Sequence, residues 1–214
     1  MPYKFRKASC VAVGTFNIYI IQPAWLTAVG IFPSEAEVTL QANLTRPGFR
    51  LSSVHMKTVW YVAPGRLAVE SVSPDQNCGE LMATVLDKLL WTPVSAIGNN
   101  VTYQADREAA EPFPALDACA HSAVVPEEYS EKRRSLTLTV TRPDRDYTLT
   151  AVSGTEVVEL TGNASVTFAE GHSEDTSRAA DVARAFNGDL ATMRALFVDV
   201  FGIDNLEAHV TSNP

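Results

Sequence analysis

Only three of the 214 residues are cysteine and four are histidine. No stretch reaches the roughly 18 consecutive apolar residues that a membrane-spanning helix needs. Cys10, Cys78 and Cys119 are odd in number and form no Cys-x-x-Cys pair. That set argues against a disulfide framework and for free thiols in a reducing, cytoplasmic compartment. Lys4, Arg6 and Lys7 are followed by an apolar stretch that Gly14, Thr15 and Asn17 interrupt. It alternates like a strand and lacks a small-residue cleavage site, so it does not read as a secretion signal. The sequons at Asn43, Asn100 and Asn163 then read as chance matches. There is no GxSxG, no HExxH and no GxGxxG after a strand. Gly98-Asn99-Asn100 has neither the Lys-Ser/Thr nor the helix that follow a phosphate loop. These gaps weigh against the common hydrolase, zinc-protease and nucleotide-binding machineries, although residues distant in sequence can still converge on a site.

What the chain does have is ordinary globular material: 46% hydrophobic and 20% charged residues, enough to bury a sizeable core. The net charge of −8 is unevenly spread. Residues 1–104 hold 8 Lys/Arg against 6 Asp/Glu, whereas residues 105–214 hold 9 against 19. An acidic second half disfavours nucleic acid and suits a basic protein surface. Lys4, Arg6, Lys7, Arg46 and Arg50 are too sparse a basic set to bind a phosphate backbone.

Alternation predicts strands over 8–21, 36–44, 49–54, 58–62, 67–72 and 94–103, with a bulge near Gly14. Pro23 opens a short helical turn that Gly30 ends. Asn77 with Glu80 three residues on resembles a capping box, and the Leu81/Val85/Leu89 and Met82/Leu86/Leu90 stripes predict a core-facing helix over 77–90. Residues 105–134, with Pro112, Pro114, Pro126 and many acids, read as a linker or surface insertion. A meander of four strands follows: 135–141, 147–152, 156–160 and 165–168, with Gly162-Asn163 as its last turn. A capped helix after Ser173 or Thr176, a break at Asn187-Gly188, and an amphipathic helix over 190–201 ended by Gly202 complete the pattern. The tail from Asp204 should fray. The expected fold is α+β: mostly antiparallel sheet with helices on one face. Its units are a first half (1–104), the linker (105–134) and a second half (135–214). A single continuous curved sheet gripping the last helix is the alternative. Two echoes, Thr45-Arg46-Pro47 with Thr141-Arg142-Pro143 and Gly98-Asn99-Asn100 with Gly162-Asn163, have different offsets and read as shared turn chemistry.

Asp117, Cys119 and His121 would project to one face of an extended segment and are zinc-ligand types, though no second ligand pair lies near them. Cys78 follows a helix cap, where a thiol pKa is lowered, but it has no neighbouring base. The loop Glu170 to Asp175 carries oxygen and nitrogen ligands, and its acids also suit a helix N-terminus without any ion. Trp25, Trp60 and Trp91 are spaced as core or interface anchors. Trp60, Tyr103, Phe186, Met193 and Phe197 are the candidate lining of an apolar ligand cavity.

The layout, with Val94 to Tyr103 following the first helix and Leu196-Phe197-Val198-Asp199-Val200-Phe201 near the end, resembles sporadically distributed bacterial α+β proteins of unassigned function. That resemblance implies no activity or site. The function expected is a non-enzymatic interaction module (an adaptor, inhibitor or assembly subunit) in a bacterial or phage setting. It would bind a protein partner or its own copy through exposed strand edges, without cofactor or membrane. The rivals are a small apolar ligand-binding protein and a metal-dependent enzyme using Asp117, Cys119 and His121.

Overall fold

The computed structural model describes residues 3–42, 45, 47–108, 110, 133–168 and 174–207. The first strand, β1 (Lys4–Gly14), starts earlier than its alternation predicts and stops at Gly14. Beyond it the Asn17 side chain accepts a hydrogen bond from the Tyr19 N–H at 3.0 Å, an Asx turn that takes the chain out of the sheet. Its register against its later neighbour slips between Val13 and Gly14, as expected, and again between Phe5 and Lys7. Pro23 opens helix α1 (Pro23–Ala28). Strands β2 (Val38–Ala42), β3 (Phe49–Ser53), β4 (Thr58–Ala63) and β5 (Arg66–Ser71) follow as a meander. Helix α2 (Cys78–Leu86) is capped by Asn77, whose side chain accepts from the Glu80 N–H at 3.0 Å. It ends before Leu90 and Trp91, which stand exposed.

The second half opens with β6 (Val94–Asp106), then β7 (Arg134–Arg142), β8 (Arg145–Ser153) and β9 (Val157–Thr167). The fourfold meander is corrected here: β9 is one strand running through Gly162-Asn163. Gly162 is not a turn residue. A Cβ there would lie 2.7 Å from the Met193 Sδ, so glycine makes room for the covering helix. Gly98-Asn99-Asn100 likewise runs through β6 without a bulge. The glycine–asparagine echo lies on neighbouring strands, where Asn100 sits opposite Asn163 and accepts its amide N–H at 2.7 Å. Helices α3 (Glu174–Arg184) and α4 (Phe186–Phe201) meet at Ala185, two residues before the Asn-Gly pair. Gly202 (φ 70°) caps α4 in the left-handed region. The tail does not fray at Asp204. Leu206 bridges Tyr3, and the Tyr3 N–H donates to the Asn205 carbonyl at 2.9 Å.

All nine strands form one antiparallel sheet in the order β2-β3-β4-β5-β1-β6-β9-β8-β7. The two halves therefore share a single sheet, joined where β1 pairs with β6. Each half repeats one connectivity: an opening strand, an excursion, a meander whose last strand returns beside the opener, then helix. Register places Leu51, Trp60, Val69, Cys10, Asn99, Ala164 and Tyr147 in one row across the inner face. All seven are buried. Helices α2, α3 and α4 lie against this face, as the amphipathic stripes require. Met82, Val85 and Leu86 of α2 and Leu190, Met193 and Phe197 of α4 are buried beneath them. The outer face carries hydroxyls and amides instead: Ser9, Asn100, Asn163, Thr148 and Thr139 share one row.

Among the described residues no helix is long and apolar enough to cross a membrane.

Candidate functional site

The far edge of the sheet is β7. Its hairpin to β8 closes on Arg142 and Arg145 around a two-residue turn. In such a hairpin the closing pair exchanges both backbone hydrogen bonds and alternate pairs do not. The backbone groups of Arg142, Val140, Leu138, Leu136 and Arg134 therefore point to β8. Those of Ser135, Thr137, Thr139 and Thr141 point away from the sheet. No described strand lies beyond them. Leu136, Leu138 and Val140 are half-buried on the inner face, while Thr137 and Thr139 are exposed on the outer face. The two threonines meet their cross-strand partners Thr150 and Thr148 at 3.1 and 3.2 Å. No charged residue interrupts the strand between Arg134 and Arg142. Arg142 spreads over the Tyr147 ring, 5.6 Å from its centre.

Beneath α4 lies a buried polar cluster. Asp189, in the first turn of α4, is 2% exposed. It accepts the Asn99 amide N–H at 2.7 Å, pairs with the Arg145 guanidinium, and accepts the Tyr147 hydroxyl at 3.3 Å. Burial, then the Asp189 charge, pushes the Tyr147 phenol up. This arrangement neutralises a buried carboxylate with a guanidinium and two further donors. It ties β6, β8 and α4 together. Its members hold one another, and so lock these three elements in place.

Two clefts open elsewhere. One, about 620 Å³, lies by the β2–β3 turn, lined by Gln41, Pro47, Phe49, Arg50, Tyr61 and Arg66. There Arg50 donates to Gln41 at 3.3 Å and stacks over Tyr61 at 5.9 Å. The other, about 360 Å³, lies between α4 and β6 and is lined by Tyr103, Asn187, Arg194 and small apolar residues of α4.

The candidate ligand set divides. Trp60, Tyr103, Phe186, Met193 and Phe197 are all fully buried. Tyr103 and Phe197 meet edge to face at 6.3 Å. Of the five, Tyr103 alone lines the α4–β6 cleft, while Trp60 sits on β4 in the other half. Trp25 is half-buried and Trp91 is 85% exposed. Asp117, Cys119 and His121 lie outside the described residues, as does most of the loop Glu170 to Asp175. Among the described residues no three His, Cys, Asp or Glu side chains group as metal ligands. The helix N-terminus does not activate Cys78. Burial dominates, pushing its thiol up to about 12, with Glu70 adding to the shift. Its Sγ donates to the Ala8 carbonyl at 3.6 Å. Burial, then Cys78 and Asp189, also holds the Cys10 thiol well above its ordinary range.

The β7 edge was within reach of sequence: Arg134-Ser-Leu-Thr-Leu-Thr-Val-Thr-Arg142 alternates without a break. Its place at the end of the sheet depends on β9 returning to β6, which no local pattern encodes. The polar cluster was missed because Asn99, Arg145 and Asp189 stand far apart in the chain. The one local signal was Asp189 on the buried side of an otherwise apolar stripe.

No protein-family model matches this chain, and no curated protein matches it.

Proposed function

We propose that the protein is a non-enzymatic interaction module whose working surface is the free edge of β7. A partner adds an extended segment there as a tenth strand. The observation that carries this reading is the edge itself: nine residues, with three apolar and three threonine side chains in alternation and no charge between its terminal arginines. Natural sheets usually blunt such an edge with charge, proline or a bulge, because unpaired N–H and C=O groups invite another strand. Main-chain hydrogen bonds would supply the affinity, and Leu136, Leu138 and Val140 the side-chain selection.

Arg142, at the turn end of the strand, bears on the choice of partner. A segment with alternating apolar residues and an acidic residue at the end beside Arg142 fits the strand.

Selection from a random peptide library against the full chain tests this. Enriched peptides should be strand-like with an acidic residue at one end, and Thr139→Pro should abolish their binding by deleting an outward N–H without touching the ladder to β8. Peptides with no acidic or alternating character, or binding that survives Thr139→Pro, would overturn the reading. Light scattering checks the self-pairing alternative, for which a concentration-dependent dimer lost in Thr139→Pro would be the sign.

A further inference from the structure

We propose that the cleft between α4 and β6 binds a small aliphatic monocarboxylic acid with a hydroxyl or ammonium group beside its carboxylate. The site is independent of the β7 edge.

Tyr103 is 0% exposed, its hydroxyl has no hydrogen-bond partner, and the residue lines the cleft. Its ring cannot swing away to find one. Phe5 and Phe197 clamp it edge-on, each with ring centres 6.3 Å away and planes near perpendicular, at 81° and 85°. Asn187 Oδ1, on the same cleft, is a second buried polar atom without a partner. Buried polar groups left unpaired cost stability, and natural proteins keep few of them. Two on one cleft of about 360 Å³ point to a ligand that satisfies both.

The donors and acceptors define it. Arg194 is anchored by one N–H to the Leu206 carbonyl at 3.0 Å and keeps further donors for the cleft. Burial pushes the Tyr103 phenol up, so it stays protonated as a donor. A guanidinium and a phenol together suit a carboxylate. Asn187 Oδ1 is an acceptor and needs a hydroxyl or ammonium hydrogen from the ligand. Ala191, Ala195 and Val198 receive a short aliphatic body. Glu207, which accepts the Phe5 N–H at 2.8 Å, also bears on the Tyr103 phenol, and its negative charge opposes a second carboxylate.

The test is calorimetric and NMR titration of the full chain with leucine, 2-hydroxy-4-methylpentanoate and, as the carboxylate-free control, leucinamide. At least one acid should bind saturably in the millimolar range or tighter, and leucinamide should not. Binding of leucine alone identifies an amino acid as the ligand class; binding of the hydroxy acid alone identifies a hydroxy acid. Tyr103→Phe should weaken binding at least about tenfold while leaving the melting temperature unchanged or higher, because it removes an unpaired buried hydroxyl. Ala195→Leu, at an exposed position, should block the cleft without disturbing the core. No binding of either acid, leucinamide binding as well as the acids, or undiminished binding in both variants would overturn the proposal.

Discussion

In the first half of the sheet β5 returns to β1, and a nine-residue helix closes over a face that is apolar from Leu51 to Cys10. In the second, β9 returns to β6, but the 16-residue α4 closes over a face that carries Asn99, Tyr147 and the buried Asp189–Arg145 pair. One connectivity is thus held shut in two ways. The short helix is fixed by shape against its neighbours. The long one is fixed at its first turn by charge, which sets its rotation and register on the strands. A greasy helix can slide on a greasy sheet, but a buried carboxylate with three donors cannot move without leaving charges unpaired. The α4–β6 cleft, proposed to bind a ligand, depends on where α4 sits.

The sharpest way to break that contrast is Asp189→Ala. It strands Arg145 in the interior, and the expected loss is about 3–5 kcal/mol in urea denaturation. Asp189→Leu combined with Arg145→Met should recover most of it, since a buried pair can be replaced by packed apolar side chains at little cost. Recovery of stability with loss of a single well-dispersed NMR spectrum would show that the pair serves specificity more than stability.

Shape is tested next. A Cβ at Gly79 would lie 2.0 Å from the Ala183 carbonyl oxygen and 2.3 Å from the Phe186 Cβ. Backbone cannot yield there, so Gly79→Ala should cost about 3 kcal/mol and loosen α2 from α3. At Gly162 the obstruction is the Met193 Sδ at 2.7 Å, the far end of a flexible side chain. Gly162→Ala should cost only about 1 kcal/mol.

These two glycines also show what was legible in the sequence. The strand alternation of 49–54, 58–62 and 67–72, the Asn77 cap and the stripes of α2 and α4 all depend on neighbours a few residues away, and each appears close to its expected place. Gly162-Asn163 read as a turn because turn chemistry and helix-packing chemistry both call for glycine. Only the distant Met193 decides between them. The strand-like run after Gly14 failed for a similar reason: the Asn17 side chain captures a backbone N–H that alternation assigns to a ladder. That both halves share one sheet follows from β1 pairing with β6, about ninety residues apart in sequence. The Tyr103–Asn187–Arg194 cleft was visible only in part, through Tyr103, because Asn187 reads as a helix break and Arg194 lies off the apolar stripe of the amphipathic helix over 190–201.

Alkali should act on the first half before the second. Cys10 and Cys78 are both there, and both thiols are raised by burial. An unfolded thiol releases its proton near 9.0, whereas folded Cys78 holds it to about 12. Between those values the unfolded state binds fewer protons, so stability falls as pH rises, by up to about 1.4 kcal/mol per pH unit for each thiol. Cys78→Ala should flatten the slope of stability against pH in that window. A slope unchanged in this variant would mean that the thiol is reached by solvent in the native state.

The smallest expected effect concerns the edges. β2, at the opposite end of the sheet, is five residues long and almost wholly exposed, whereas β7 is nine and half-buried. If the outward positions of β7 are those derived from its hairpin, proline at Thr139 deletes no ladder bond. Thr139→Pro should then cost no more than about 1 kcal/mol in urea denaturation, the loss of the Thr139–Thr148 hydroxyl contact. A loss of several kcal/mol would mean that the Thr139 N–H is bonded inside the protein. The free edge, and the strand-adding partner proposed for it, would then have to be given up.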